Sequence, residues 1–229
     1  MRNACCAHCG EMRRCGRDHI PPRALFHQAN PGNLITVPCC EPCRLVQPLD
    51  DEYFRAAVIS CERVFDAPLA QSARESFLRS LTYPESQGFA TSLSRNVIRV
   101  VSETAAGIYL GDHLEMQLEV PRINRVSQRI VRGLFCHERK RPLPQNYEVI
   151  GRLSPDGIDS ILEILKREGI MFPPIRSVGN GVFEYTFRAS EEDLDSTILL
   201  ALFYQHLYFV GFTRQLPERR ASPAAALID

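Results

Sequence analysis

The sequence lacks the features of a membrane protein and of an exported protein. No stretch approaches the run of about 18 apolar residues that a membrane-spanning helix needs. The N-terminus, MRNACCAHCG, also lacks the apolar segment of a secretion signal. These absences predict a soluble, cytoplasmic protein that has no membrane partner.

Net charge is missing as well, because 27 basic and 27 acidic residues cancel. The whole molecule therefore has no field that would draw it to a polyanion. The charge is nevertheless unevenly spread, since residues 1–48 hold six arginines and three acids. We expect any contact with a polyanion to be local and to involve this N-terminal region.

Several catalytic signatures are absent too. The sequence contains no glycine-rich phosphate loop, no serine-nucleophile motif and no dinucleotide-binding signature. What it does contain is cysteine: nine residues, of which seven lie within residues 1–43. An odd, clustered count without an export signal indicates a reducing compartment and a metal site rather than a disulfide framework.

Two cysteine pairs carry the strongest signal, Cys6-Ala-His-Cys9 and Cys40-Glu-Pro-Cys43. A C-x2-C turn directs two thiolates at one point, and two such turns close a tetrahedral site with zinc–sulfur distances of about 2.3 Å. Buried free thiols are the alternative, but the paired spacing disfavours it. We predict one structural Zn²⁺ bound by Cys6, Cys9, Cys40 and Cys43. Three neighbours leave the register some slack: Cys5, Cys39 and His8.

Hydrophobic patterns predict an α+β fold made of two parts. Residues 1–64 are predicted to form a zinc-stapled module with short strands at 17–20 and 34–37 and a helix that begins near Asp50. Residues 65–215 are predicted to form a mixed α+β domain. The tail, residues 216–229, is predicted to be disordered.

Within the larger part, the patterns predict helices at 67–82, 121–138 and 156–168. Strands are predicted at 97–102, 107–110, 114–119, 147–152, 174–178, 182–188, 195–204 and 207–213. Helix 121–138 carries a row of arginines: Arg122, Arg125, Arg129 and Arg132. The row indicates either a ridge that follows phosphates or, as the favoured interpretation, a solvated face whose arginine stems cover apolar surface.

A further signal is the dipeptide Asp18-His19 at the end of the first predicted strand. Its carboxylate can bind a hard divalent cation while the neighbouring imidazole takes a proton from water. The dipeptide alone is too common to identify a site. Asn33 follows in PGNLITVPCCEPC, which leads into the second cysteine pair.

Together, these motifs resemble a group of bacterial HNH-nuclease-like proteins. The resemblance rests on C-x2-C-G, DHIPP-x-ALF, NLITVP-x-C-x2-C and DDEYFR, and it continues in RVSQRIVRGLFCHERKRPLP, so that it spans at least residues 6–146. It implies a ββα-metal fold whose cysteines clamp the strand ends. It also implies that Asp18 helps to hold a catalytic Mg²⁺ or Mn²⁺ ion, that His19 is the general base, and that Asn33 braces the hairpin loop that positions His19.

Arg44 departs from the pattern of this group, whose members usually place Asn or His directly after the last knuckle cysteine as the second ligand of the catalytic ion. A guanidinium is always charged and cannot bind a cation. Arg44 should therefore weaken ion binding, unless Asp50 or Asp51 substitutes. Arg44 could instead hold the scissile phosphate, and Arg17 and Arg23 are further candidates for contact with nucleic acid.

Two hypotheses follow from the sequence. The first is a metal-dependent endonuclease of the HNH type that hydrolyses phosphodiester bonds of nucleic acid, with DNA as the expected substrate. The second is a catalytically degraded zinc-binding module that binds nucleic acid or a protein partner. They differ in whether a divalent ion can still bind beside His19.

Overall fold

The cysteine-rich N-terminus folds as a three-stranded antiparallel sheet. Its strands are β1 (Arg2–Cys5), β2 (Met12–Ile20) and β3 (Ile35–Cys40), in the order β1-β2-β3. The computed structural model describes residues 2–26 and 32–217. The predicted hairpin is confirmed, and its strands are longer than predicted because the pairing continues to Cys15 opposite Cys40. Strand β1 is not predicted, since four residues on a largely exposed edge show no apolar alternation.

Five helices follow: α1 (Glu41–Leu45), α2 (Pro48–Ile59), α3 (Glu62–Phe65), α4 (Pro68–Ser80) and α5 (Gln87–Arg95). Helix α2 confirms the prediction near Asp50, with Pro48 in its first turn and the negative charge of Asp50 and Asp51 that a helix N-terminus favours. Helix α4 confirms the helix predicted at 67–82. Helix α5 is not predicted; it is a short helix in which Leu93 is the one buried residue.

Strands β4 (Val97–Glu103) and β5 (Tyr109–Met116) form a separate two-stranded ribbon. The prediction of two strands at 107–110 and 114–119 is wrong, because one continuous strand runs through most of this stretch. Most of β5 is exposed. A strand without a buried face needs no apolar alternation, so its polar residues do not interrupt it.

The C-terminal part combines two helices with a five-stranded antiparallel sheet. Its elements are α6 (Val120–Arg139), β6 (Tyr147–Ser154), α7 (Asp159–Arg167), β7 (Arg176–Val178), β8 (Phe183–Ala189), β9 (Thr197–Phe203) and β10 (Leu207–Gln215). The sheet order is β6-β10-β9-β8-β7. Both helices and all five strands are confirmed. Helix α7 begins later than predicted, since Gly157 has a positive φ of 98° and forms a turn before it.

Helix α6 lies between the two larger sheets. It contacts β2 and β3 on one side, β6 and β10 on the other, and α2 beside it. Its approach to β2 requires Gly133, because a Cβ there would lie 2.4 Å from Ile20 Cγ1, too close for any side chain. This contact places the arginines of α6 next to the cysteine-rich sheet.

One hydrophobic core joins the two predicted parts. Ile20 of β2, Phe54 of α2, Leu134 of α6 and Phe203 of β9 all belong to the same buried cluster. The boundary between residues 64 and 65 stays a prediction, and buried side chains from both sides of it pack together. The other face of the C-terminal sheet is covered by α7, through a smaller cluster around Leu165.

The predicted disordered tail, residues 216–229, lies outside the described residues from position 218 onward. Among residues 2–26 and 32–217, no helix has the length and apolar content to cross a membrane.

Candidate functional site

The two cysteine pairs meet at one end of the N-terminal sheet. Cys6 and Cys9 lie in the turn between β1 and β2, where Gly10 takes a positive φ of 73° and donates its N–H to Cys6 O at 2.9 Å. Cys40 ends β3 and Cys43 lies in α1, so the β3–α1 junction brings the second pair to the first. The four sulfur atoms lie within 4.8 Å of one another.

The geometry of this cluster fits a tetrahedral metal ion. Zinc–sulfur bonds of about 2.3 Å place the sulfurs of a tetrahedral site about 3.8 Å apart, and Cys9 Sγ lies 3.8 Å from Cys40 Sγ. The backbone N–H of Cys40 donates to Cys6 Sγ at 3.4 Å. A hydrogen bond from Cys39 lowers the pKa of Cys6 to about 3, against the opposing effect of burial. The four cysteines could therefore hold a metal ion such as zinc.

Asp18 lies on the face of β2 that packs toward α6. Its Oδ2 is 2.8 Å from His8 Nε2 and 3.4 Å from Arg129 Nε, and 11% of its side chain is exposed. An imidazole N–H donates well to a carboxylate, and the guanidinium adds a fixed positive charge beside it. The carboxylate that the resemblance assigns to a catalytic ion thus contacts two side chains of the protein.

His8 and Asp18 also belong to a second group of possible metal ligands, completed by Cys39, whose ligand atoms lie within 4.8 Å of one another. Nitrogen, oxygen and sulfur donors of this kind suit a transition metal better than Mg²⁺. The charge of Arg129 opposes a cation at the same place, because its Nε lies 3.4 Å from the carboxylate oxygen that His8 also contacts.

His19 points to the opposite face of β2, since side chains alternate along a strand. It is partly buried. Burial lowers the pKa of His19, the charge of Arg23 lowers it further, and Asp18 acts in the opposite direction. The lowered pKa favours the neutral imidazole, which is the form that can accept a proton as a general base.

Asn33 precedes β3 and connects it to the C-terminal sheet. Its Nδ2 donates to Ser177 O at 3.0 Å, and its Oδ1 accepts the N–H of Gly179 at 3.0 Å. The amide thus joins the start of β3 to the turn after β7, a contact that the sequence does not predict. The bracing role that the resemblance implies for Asn33 stays a prediction.

Arg17 shares its face of β2 with His19. Arg2 of β1 pairs with Cys15, two positions from Arg17, and therefore lies on this face too. We call this surface, defined by Arg2, Arg17 and His19, the basic sheet face. A cavity of about 620 Å³ opens on the sheet between Arg2 and Arg17, and both arginines are exposed.

Arg23 and Arg44 are also exposed. Arg23 opens a short 3-10 turn after β2, close enough for its charge to act on His19. Arg44 lies in α1 and does not line the cavity that His8, Arg129 and their neighbours form. Contact of these arginines with nucleic acid stays a prediction.

The arginine row of α6 faces α2. Asp50 accepts hydrogen bonds from Arg122 Nε at 2.9 Å and from Arg125 Nε at 2.6 Å, and Asp51 accepts one from Arg129 Nη2 at 2.5 Å. The interpretation as a solvated face is wrong for Arg122 and Arg129, whose side chains are 15% and 9% exposed. Asp50 and Asp51 are thus bound to arginines and do not face an ion site.

His8 and Arg129 are the residues of this region that the sequence does not assign. His8 gives a weak local signal, since an imidazole inside a C-x2-C turn lies beside the sulfurs that could hold a metal ion. Arg129 gives none, because its contact with Asp18 depends on how α6 packs on β2. No family model, curated protein or solved structure matches this chain.

Proposed function

We propose that this chain is a zinc-binding, HNH-like module that binds nucleic acid without cleaving it. The observation that carries the proposal is the contact of Asp18 with Arg129. Two unit charges about 4 Å apart interact by about 4 kcal/mol at an effective dielectric near 20. A divalent ion on Asp18 would meet that repulsion from Arg129, and Arg44 offers no ligand in compensation.

The basic sheet face is the surface that would hold the nucleic acid. Arg2 and Arg17 are exposed on either side of its cavity, and Arg23 lies at the end of β2. Arginine binds phosphate oxygens through two parallel hydrogen bonds. The overall neutral charge of the chain restricts the binding to this face, so that we expect modest affinity and a salt dependence in proportion to the few phosphates that its arginines neutralise.

Replacing Arg17 with alanine tests this face. We expect Arg17→Ala to weaken binding of labelled duplex DNA, measured by fluorescence anisotropy, and to reduce the slope of log K against log salt by about 0.9 for each phosphate that is no longer neutralised. Arg167→Ala is the matched control, because Arg167 is an exposed arginine on α7 that pairs with Glu168. Equal affinities and slopes for the parent and Arg17→Ala would exclude the basic sheet face.

A second candidate is the HNH endonuclease, and one observation favours it. His8 Nε2 lies 2.8 Å from Asp18, so His8 could serve as the second protein ligand that position 44 does not provide. His19, whose lowered pKa favours the neutral form, would then deprotonate the attacking water, and the ion would neutralise charge on the phosphate.

Nicking of supercoiled plasmid with Mg²⁺ or Mn²⁺ separates the two candidates. The proposed binding module leaves the plasmid intact. If the chain is an endonuclease, His19→Ala should lower the rate by about 10²- to 10⁴-fold, the usual contribution of a positioned proton acceptor. His113→Ala controls for loss of an imidazole, because His113 lies on the exposed strand β5. Nicking by His19→Ala at the rate of the parent would place the base elsewhere.

A further inference from the structure

The ribbon formed by β4 and β5 leaves one edge of β4 without a neighbouring strand. Within residues 2–26 and 32–217, β4 pairs only with β5. A ribbon of two strands is only marginally stable in water by itself, and a free strand edge is a template for pairing with another strand. One face of this ribbon also exposes between 39% and 73% of four apolar residues: Val97, Val101, Tyr109 and Leu114. An exposed apolar strip of this kind marks an interaction surface.

The backbone groups on the free edge of β4 belong to its odd-numbered residues. Asn96 O accepts a hydrogen bond from Gln117 N at 2.7 Å, and Thr104 N donates to Ile108 O at 2.9 Å. The even-numbered residues therefore point their N–H and C=O groups toward β5. Since these groups alternate between the two sides of a strand, those of the odd-numbered residues point outward. The outward residues are Val97, Arg99, Val101 and Glu103, and all four are exposed.

The sequence of β4 lacks features that usually protect an edge from a further strand. Proline, lysine and bulges are the common ones, and VIRVVSE contains neither proline nor lysine. The bulge of the ribbon lies in β5, where the register shifts opposite Ser102 and Glu103. Four of the first five residues of β4 are β-branched, a side-chain type that favours strands. The edge of β4 is thus well suited to pair again.

The charges of this edge are complementary to those of a second copy of the same strand. When two β4 strands pair antiparallel about Val101, Arg99 of each copy lies opposite Glu103 of the other. All three positions have outward backbone groups and side chains on one face, as a hydrogen-bonded antiparallel pair requires. The side chain of Arg99 pairs with Asp112 of its own ribbon and is still 73% exposed. Two-fold symmetry therefore gives two Arg99–Glu103 pairs, one on each side of Val101.

We propose that two copies of this chain associate through β4, so that their ribbons form one four-stranded antiparallel sheet in the order β5-β4-β4-β5. The outward N–H and C=O groups of Arg99, Val101 and Glu103 form the hydrogen bonds between the copies. The two Val101 side chains pack at the two-fold axis, and opposite charges directly across the strands add stability. The proposal goes beyond nucleic-acid binding and does not involve the basic sheet face.

Sedimentation velocity of the full chain, purified with zinc, tests the association over a range of protein concentrations. We expect an equilibrium between monomer and dimer. Amide hydrogen exchange locates the interface, because the outward amides of Arg99, Val101 and Glu103 should exchange more slowly as the concentration rises. A chain that stays monomeric up to its solubility limit would overturn the proposal. A dimer in which these three amides exchange as fast as in the monomer would overturn it as well.

Glu103→Arg tests the charge pairs. It places two arginines opposite each other on both sides of Val101, and we expect it to weaken association about ten- to a hundredfold at low salt. Glu115→Arg is the matched control, since it makes the same change of charge on β5. Glu115 lies opposite Ile98, on the other face of the ribbon, and this variant should associate like the parent. Equal association of the parent and Glu103→Arg would exclude the pairing about Val101.

Val101→Pro tests the backbone pairing. Proline removes the N–H that points away from β5, so no hydrogen bond within the ribbon is lost, and an edge strand accepts proline at such a position. We expect a monomer that melts close to the temperature of the monomeric parent. Association as tight as that of the parent would contradict the proposed hydrogen bonds. If Val101→Pro melts at a much lower temperature, the comparison of Glu103→Arg with Glu115→Arg decides by itself.

Discussion

Cys40→Ser is expected to abolish zinc binding and to unfold the N-terminal sheet. Structural zinc sites contribute about 10–16 kcal/mol of apparent binding free energy, whereas a whole domain is stable by about 5–15 kcal/mol. At the cysteine end the sheet has little apolar packing of its own, since Cys6, Cys15 and Cys40 form the buried cluster there. Elemental analysis should give about one zinc per parent chain and none in the variant, with faster amide exchange over residues 2–20.

Cys61→Ser is the control for this experiment. Cys61 lies between α2 and α3, is partly buried, and belongs to neither group of possible metal ligands. The Cys61→Ser variant should keep its zinc, and its melting temperature should be close to that of the parent. A parent chain purified without zinc would contradict the prediction, as would a Cys40→Ser variant that melts at the temperature of the parent.

The cluster of four cysteines that could hold a metal ion is the part of the site that the sequence predicts best, because the chemistry is local. A C-x2-C turn brings two sulfurs together whatever the rest of the chain does, and Gly10 supplies the positive φ that this turn uses. Most of the strands and the long helices are predicted for the same reason, since their apolar periodicity shows which side of each element is buried. Helix α6 is the clearest case.

Contacts between distant elements are what the sequence does not predict. Asp18 shows the difference: its place at the end of a strand is predictable, but its contact with Arg129 exists only because Gly133 lets α6 pack directly on Ile20. The partners of the arginine row of α6 are unpredictable for the same reason. A helical face of regularly spaced arginines can face either solvent or a neighbouring helix. Only the packing of α6 beside α2 decides between them.

This packing makes α6 the element that joins the cysteine-rich sheet to the rest of the protein. The guanidinium of Arg129 lies between Asp18 of β2 and Asp51 of α2. One side chain of α6 therefore connects three elements. Burial raises the pKa of Asp51 to about 6, even though the charge and the hydrogen bond of Arg129 act in the opposite direction. The ionised form of Asp51 therefore depends on Arg129.

Arg129→Met is expected to destabilise the protein by about 3–5 kcal/mol at neutral pH. Removing one partner of a buried ion pair leaves the other charge uncompensated, and this cost is larger than the net contribution of the pair itself. Methionine keeps much of the volume of the arginine stem, so packing should change little. Urea unfolding of the zinc-loaded variant and parent measures the difference.

Two comparisons establish that the loss of stability comes from the unpaired carboxylates. Asp51 has a pKa of about 6 in the folded protein and a lower one when unfolded, so folding favours its protonated form and the penalty for ionising it appears as pH rises. Without Arg129 that pKa rises further, and the loss of stability in Arg129→Met should be smaller below pH 6 than above it.

Arg125→Met is the second comparison. It removes a side chain that is 58% exposed and leaves Arg122 on Asp50, so it should cost less than about 1 kcal/mol of stability. If both variants are destabilised equally at every pH, the effect reflects poorer packing along α6, and Arg129 does not neutralise Asp18 and Asp51.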